Sequence, residues 1–382
     1  MGETLLVQPD LDFIRKVKSA GGDTLKNCYQ CATCSVVCGL SPEEKPFPRK
    51  EMLWAGWGLK DKLMSDPDVW LCHQCNDCTA KCPRGARPGD VLAAVRTMVF
   101  ESFAFPSFMG KALNNSKALL WLLVVPAVLL FVLLMSIHGW NFGFFADEHI
   151  EYSEFFPHKY LEVLFMGGNA LIFAFAAVGL LRFWKALKHS AGKRSPKFIP
   201  SFIITIFTIL SHKRFNECVQ NKPRYLGHML IFYGFIGAMA TAGLAVALTT
   251  LVPEDFILHI QSPINLPNPV KILGVASGLG MIIGGWILIS RRKNKEDDVG
   301  ADGYADHLFL WMLFLTAITG MLTFGFRGFG VPAIAYTMYF IHLVIVFFVL
   351  WYAPYSKFAH MFYRTLAMVW AHGVQRGEPR KN

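Results

Sequence analysis

Two short runs hold the residues best suited to chemistry. CYQCATCSVVCG begins at Cys28 and CHQCNDCTAKCP begins at Cys72. Each places cysteines at the same intervals: Cys28, Cys31, Cys34 and Cys38 in one, Cys72, Cys75, Cys78 and Cys82 in the other. Three thiolates at two-residue gaps can wrap one face of an iron–sulfur cube, while the fourth lies too far round. In paired-cluster chains that fourth cysteine reaches across to the neighbouring cluster. The spacing therefore predicts two [4Fe–4S] clusters, one on Cys28, Cys31, Cys34 and Cys82, the other on Cys72, Cys75, Cys78 and Cys38. A zinc site would use four ligands, usually as two separated pairs, and not a triplet plus one. Disulfides are disfavoured in a cytoplasmic domain. Pro83 follows the second run, as expected beside such a cluster, whereas Gly39 follows the first. Cys218 stands apart in a basic loop and reads as an inert thiol.

Histidine is the second chemical signal. Polar groups inside a membrane are expensive, so histidines within or at the ends of apolar spans stand out. His342 lies inside the last apolar run and His360 follows 18 residues later. On one continuous helix that interval is five turns, which puts both on one face roughly 27 Å apart. Two haems stacked towards opposite leaflets would suit that separation, with Pro354 between them as a kink point. His228 opens the third span at the level of His360, and the two form a natural axial pair for an inner b-type haem. His342 needs a partner nearer the outer face, and His158 fits by depth. His307 starts the fifth span and competes for the inner haem. Arg224 and Tyr225 lie at the inner surface, where such residues commonly anchor a helix.

These groups need elements to position them. The 382 residues are 53% apolar, with a net charge of +10. Eight of the nine cysteines lie in the polar residues 1–97, and long apolar runs dominate after residue 116. No apolar core with a cleavage site opens the chain, so no secretory signal peptide is expected. Six transmembrane helices are predicted, at about 117–137, 160–183, 226–250, 271–290, 307–326 and 332–353. The loop 138–159 is acidic, with Asp147, Glu148, Glu151 and Glu154, while 184–225 is basic, with Lys193 and Arg194 among many. The tail is basic again, through Lys357, Arg364, Arg376, Arg380 and Lys381. The positive-inside rule then places the cluster domain, the basic loops and the C-terminus in the cytoplasm. This alternation ties the positive charge to lipid and argues against nucleic acid. A transporter is disfavoured because no span carries an Asp or Glu pathway.

The apolar stretch 202–210 is too short to cross and reads as an interfacial or re-entrant helix. Residues 357–372 read as an amphipathic surface helix or a continuation of the last span. KEMLWAGWGLKDKLM, between the cysteine runs, has helical character. The expected class is mainly α: a helical two-[4Fe–4S] ferredoxin-like domain over 1–97, a surface linker over 98–116, a six-helix transmembrane cytochrome b bundle over 117–353, and a basic segment over 354–382.

The residues from CYQC to CPRGARPGDV, 28 to 91, resemble the cluster-bearing C subunit of heterodisulfide reductases. The membrane half resembles their E-type cytochrome b subunit and the gamma subunit of respiratory nitrate reductase. In the gamma family one helix supplies two haem histidines at the interval of His342 and His360, and a partner helix supplies two more. His228 matches the first of that second pair, but the other position, ten residues on, is Ala238, which leaves the partner of His342 open. The two halves fused in this order resemble the C subunit of the quinone-interacting membrane-bound oxidoreductases (Qmo) of sulfate reducers. That resemblance implies two b haems and menaquinol as substrate. Electrons would then pass through the clusters to the flavin- and iron–sulfur-containing A and B subunits, and on to adenylylsulfate reductase. It also makes the chain part of a quinol-oxidising membrane oxidoreductase. The alternative is a heterodisulfide-reductase-like complex with a different soluble partner or the opposite electron direction.

Overall fold

The computed structural model describes residues 8–143, 150–190, 197–217, 222–255, 257, 259–260, 264–294, 300 and 303–374. Cys218 and the loop charges Asp147, Glu148, Lys193, Arg194, Arg376, Arg380 and Lys381 lie outside the described residues. Among the described residues every regular element is helical.

Six helices are long and apolar enough to cross a membrane: Ser116–His138, His158–His189, Arg224–Leu251, Pro269–Lys293, Tyr304–Phe329 and Pro332–Trp351. They match the six expected spans and extend most of them by a few residues, because hydropathy marks only the hydrocarbon-facing part of a longer helix. The stretch 202–210 lies within a shorter apolar helix, Phe198–Leu210. The third and fourth spans pack at glycines. A Cβ on Gly284 would lie 2.7 Å from the carbonyl oxygen of Gly227, so only a bare backbone permits this approach. Close backbone contact of this kind substitutes for the hydrophobic drive that lipid cannot supply.

The cysteine-rich part is a set of short helices around one longer helix, Pro88–Phe103, which runs through residue 97 and so bridges the anticipated domain boundary. KEMLWAGWGLKDKLM forms two helices, Arg49–Gly56 and Lys60–Met64, broken after Trp57 where Gly58 adopts φ +65°. A left-handed residue ends a helix readily when it is glycine.

The last span does not continue to His360. It ends at Trp351, two 3-10 turns cover Ala353–Tyr355 and Lys357–Ala359, and a new helix spans His360–Gly373. Pro354 lies in the first turn, since proline lacks the N–H that an uninterrupted helix would need there. This corrects the expectation of one straight face carrying His342 and His360 over five turns. Nor is the terminal helix a surface helix. It buries Tyr363, Ala367, Met368, Val369 and Trp370, and Tyr363 stacks on Trp70 of the cysteine domain at 5.2 Å and 17°. Such stacking contributes about 0.5–1.5 kcal/mol beyond the area buried. Phe183 and Leu187, from the end of the second span, belong to the same core.

A cluster of charges lies partly buried in this domain. Lys50 Nζ lies 3.2 Å from Glu51, 2.6 Å from Asp66 and 3.0 Å from Asp68, and all three carboxylates are buried. Burial, opposed by Lys50 and reinforced by Asp66, pushes the Glu51 carboxyl from 4.5 up to about 7. A raised carboxyl stabilises the fold below its unfolded value and loses that contribution as pH rises through the folded value. Between its unfolded and folded values this group should therefore cost the domain up to about 3 kcal/mol. Glu51→Gln should flatten that window and gain stability over wild type at about pH 8. Paired thermal melts at about pH 5 and pH 8 read the difference, and equal pH dependence in both proteins would refute it.

Candidate iron–sulfur and haem sites

Both cysteine runs fold alike. Gln30 and Ala32 in the first, and Gln74 and Asn76 at the matching places in the second, all have positive φ. Left-handed backbone costs a non-glycine residue roughly 1–2 kcal/mol, so its recurrence at the same two places points to a shared task. It wraps the chain around a centre, and short helices, Thr33–Val37 and Asp77–Ala80, follow each wrap. None of the eight cysteines is in a disulfide. Donors point at sulfur: Gln74 N–H to Cys72 Sγ at 3.3 Å, Ala86 N–H to Cys82 Sγ at 3.3 Å, and Gln30 Nε2 to Cys28 Sγ at 3.2 Å.

The structure places Cys38 with the second run. Burial pushes its thiol up to about 12, and the next cause is repulsion from Cys72, with Cys75 adding to it. Cys34 is pushed up to about 11 by burial, then by Cys28, with Cys31 adding to it. Cys78 is raised well above the usual range by burial, then by Cys72, Cys75 and Cys38. Thiols crowded this way resist ionising together unless a positive centre binds them. The donor set therefore fits iron–sulfur clusters, and Cys38 sits where a crossed ligand should. On the other side, the segment after Cys82 folds against the first run. Arg84 donates to Tyr29 Oη at 3.0 Å, and Arg87 N–H donates to Thr24 Oγ1 at 2.9 Å. Cys31 is exposed, whereas Cys72, Cys75 and Cys78 are buried.

His228 lies within electrostatic reach of His360 and His212. Among the described residues its buried Nδ1 has no hydrogen-bond partner. His360 opens the terminal helix, and its Nδ1–H donates to the carbonyl of Lys357, which leaves Nε2 to accept or ligate. His342 is oriented likewise. Thr319 Oγ1 donates its proton to Leu315 O at 2.7 Å, so it accepts from His342 Nδ1–H at 2.9 Å. Holding one imidazole nitrogen by hydrogen bond fixes the tautomer of a metal-binding histidine. The inner pair therefore fits a haem. His158 is exposed at the first position of its helix. Phe165, seven residues on, meets Phe347, five residues beyond His342, at 6.4 Å, so the two histidines lie at similar levels. His307 is exposed at the start of the fifth span.

Sequence reasoning missed His212 and His73, and it read Arg224 as an anchor and Arg364 as a tail charge without their contacts to the cysteine loop. His212 is buried, has φ +49°, and its ring centroid lies 5.4 Å from that of His228. Its signal was position, two residues beyond the short apolar stretch. His73 follows Cys72 and is ringed by Arg364, Arg224, Arg214 and His228. Burial first, and then these neighbours, hold its imidazole well below the usual range. The loop 72–74 is thus where the cysteine domain meets the membrane histidines. Gly300, after the fourth span, completes this seam: a Cβ there would lie 2.6 Å from Asp90 and from Gln74.

A 4Fe–4S dicluster domain matches residues 24–86. The C subunit of the H2:CoB–CoM heterodisulfide,ferredoxin reductase of Methanothermobacter marburgensis is 40% identical over 88 residues, 23% of this chain and 47% of that protein. The chain thus spans about half the length of these cluster-bearing relatives. The E subunit of the dihydromethanophenazine:CoB–CoM heterodisulfide reductase of Methanosarcina acetivorans is 28% identical over 207 residues, 51% of this chain and 75% of that protein. Citrate utilization protein B of Escherichia coli is 24% identical over 98% of this chain and 95% of its own length. No solved structure matches significantly. The chain therefore joins an iron–sulfur domain like the C subunit of heterodisulfide reductases to a membrane region similar to their E subunit. It is a multi-pass iron–sulfur protein related to subunits of oxidoreductase complexes.

Proposed function

We propose that the chain is a membrane electron conduit between a quinol pool and soluble redox subunits. The observation that carries this reading is the seam at residues 72–74, where a cluster-binding loop meets His228 and His360 through Arg224 and Arg364. Haem b and [4Fe–4S] clusters, when bound, supply one-electron carriage. The chain's part is to hold them close and to shape their surroundings. Cys28, Cys31, Cys34 and Cys82 hold one cluster, and Cys72, Cys75, Cys78 and Cys38 the other. His228 and His360 hold an inner haem, and His342 is the axial candidate for an outer one, with the exposed His158 the partner that matches it by depth. The basic loops favour a cysteine domain on the cytoplasmic side.

In the full form of this proposal menaquinol is the donor. Electrons then leave through the flavin- and iron–sulfur-containing A and B subunits of a Qmo-type complex towards adenylylsulfate reductase. A second reading has a specific observation behind it. The near end-to-end similarity to citrate utilization protein B means that this fusion order is not peculiar to one kind of complex. The same conduit would then serve a different soluble partner, or run in reverse.

The test is an optical spectrum of the purified full-length chain before and after a menaquinol analogue. Reduction of a b-type haem followed by the clusters is the expected result. A preparation with full cluster content and no b-type haem would sink the conduit reading. Haem reduced only from the cluster side would favour the reverse direction.

A further inference from the structure

Three arginines from three separate parts of the chain converge on the backbone that carries Cys72. Arg364, from the terminal helix, donates to Cys72 O at 2.7 Å. Arg224, from the start of the third span, donates to His73 O and Gln74 O, both at 3.0 Å. Arg96, from the helix Pro88–Phe103, donates to Val69 O at 2.8 Å and Cys72 O at 3.4 Å, and its other nitrogen donates to Gln74 Oε1 at 3.1 Å. Asp90 brings a carboxylate to this loop: it accepts from Gln74 Nε2 at 3.2 Å and pairs with Arg87 at 3.6 Å.

We propose that Arg364, Arg224 and Arg96 are positioning residues that raise the reduction potential of the cluster on Cys72, Cys75, Cys78 and Cys38, making it the acceptor for electrons arriving from the membrane. Each electron added to a thiolate-bound cluster increases its negative charge, and burial opposes that addition. Net charge and solvent exposure are among the main determinants of such potentials. Fixed guanidinium charges beside a buried cluster act against the burial effect, and low dielectric magnifies them. The other cluster has an exposed ligand, Cys31, where solvent weakens the effect of any nearby charge. Burial and arginines thus assign one cluster to the membrane side and leave the other for the soluble side.

This inference rests on the cluster assignment above but not on haem. EPR-monitored redox titration of the full-length chain, with dithionite and mediators, tests it. The Cys38→Ser variant identifies which signal belongs to the Cys72 side. Arg364→Gln should lower that midpoint by at least the roughly 59 mV that a tenfold weaker one-electron reduction represents, and leave the other signal in place. Arg364→Lys, which keeps the charge, should recover most of the shift. If Arg364→Gln fails to retain its clusters, Arg224→Gln carries the same measurement with the same expectation. Unchanged midpoints with both clusters present, or equal shifts in both, would overturn the proposal. A chain without haem would defeat the conduit reading while leaving this titration fully interpretable.

Discussion

Replacing Cys38 with serine is expected to abolish or convert the cluster held by the second cysteine run, although Cys38 belongs to the first. The reason is spatial. Cys38 interacts with Cys72 and Cys75, and Cys78 in turn interacts with Cys38, whereas Cys34 interacts chiefly with Cys28 and Cys31. Losing the ligand that crosses over leaves three buried thiols around a centre that needs four. Bound cluster iron should fall to about half, and the surviving EPR signal should be that of the exposed cluster. Cys82→Ser should give the complementary pattern. If Cys38→Ser instead removes the cluster of Cys28, Cys31 and Cys34, the crossing is wrong. Because metal binding in small cofactor domains contributes much of their folding energy, the half-loaded domain should also melt at lower temperature.

His228→Ala and His360→Ala are each expected to eliminate the inner haem, with cluster content unchanged. Both imidazoles sit at the seam, and His360 already has its Nδ1–H committed to a backbone carbonyl, which leaves its Nε2 for iron. Haem extraction with quantification, alongside iron content, reads the result. An undiminished b-type spectrum in either variant would falsify the axial assignment. His342 gives a second, graded test. Thr319→Val removes the acceptor that holds the ring, and losing such a support typically costs about 10–100-fold in metal affinity. If His342 binds an outer haem, that haem should be lost on dilution before the inner one. Haem stoichiometry unchanged by both Thr319→Val and His342→Ala would mean a single haem per chain.

Much of this arrangement was legible in the amino-acid order because its causes are local or periodic. Apolar runs of sufficient length defined the six spans, and the cysteine intervals pointed to a dicluster domain and to the company that Cys38 keeps. The helix break after Trp351 was less legible. Pro354 signalled a kink, but whether a helix bends or stops there depends on what its far side packs against. Here that partner includes Trp70, far earlier in the chain. The same distance hides the arginine collar: nothing near Arg364 in the sequence marks it as a partner of Cys72. His212 was overlooked because a single buried histidine beside a short apolar helix has no periodic signature. Its left-handed backbone and its place beside His228 emerge only from the fold.

The stacking of Tyr363 on Trp70 also sets a timetable for biogenesis. The cysteine domain leaves the ribosome before the six spans, yet the helix that completes its core is made after them. At a synthesis rate of about 5–20 residues per second, the stretch between Trp70 and Tyr363 takes about 15 to 60 s. Through that interval the thiols on the membrane side have only a partial core around them. The Cys72 loop therefore meets its full packing environment only once the helix His360–Gly373 has been made.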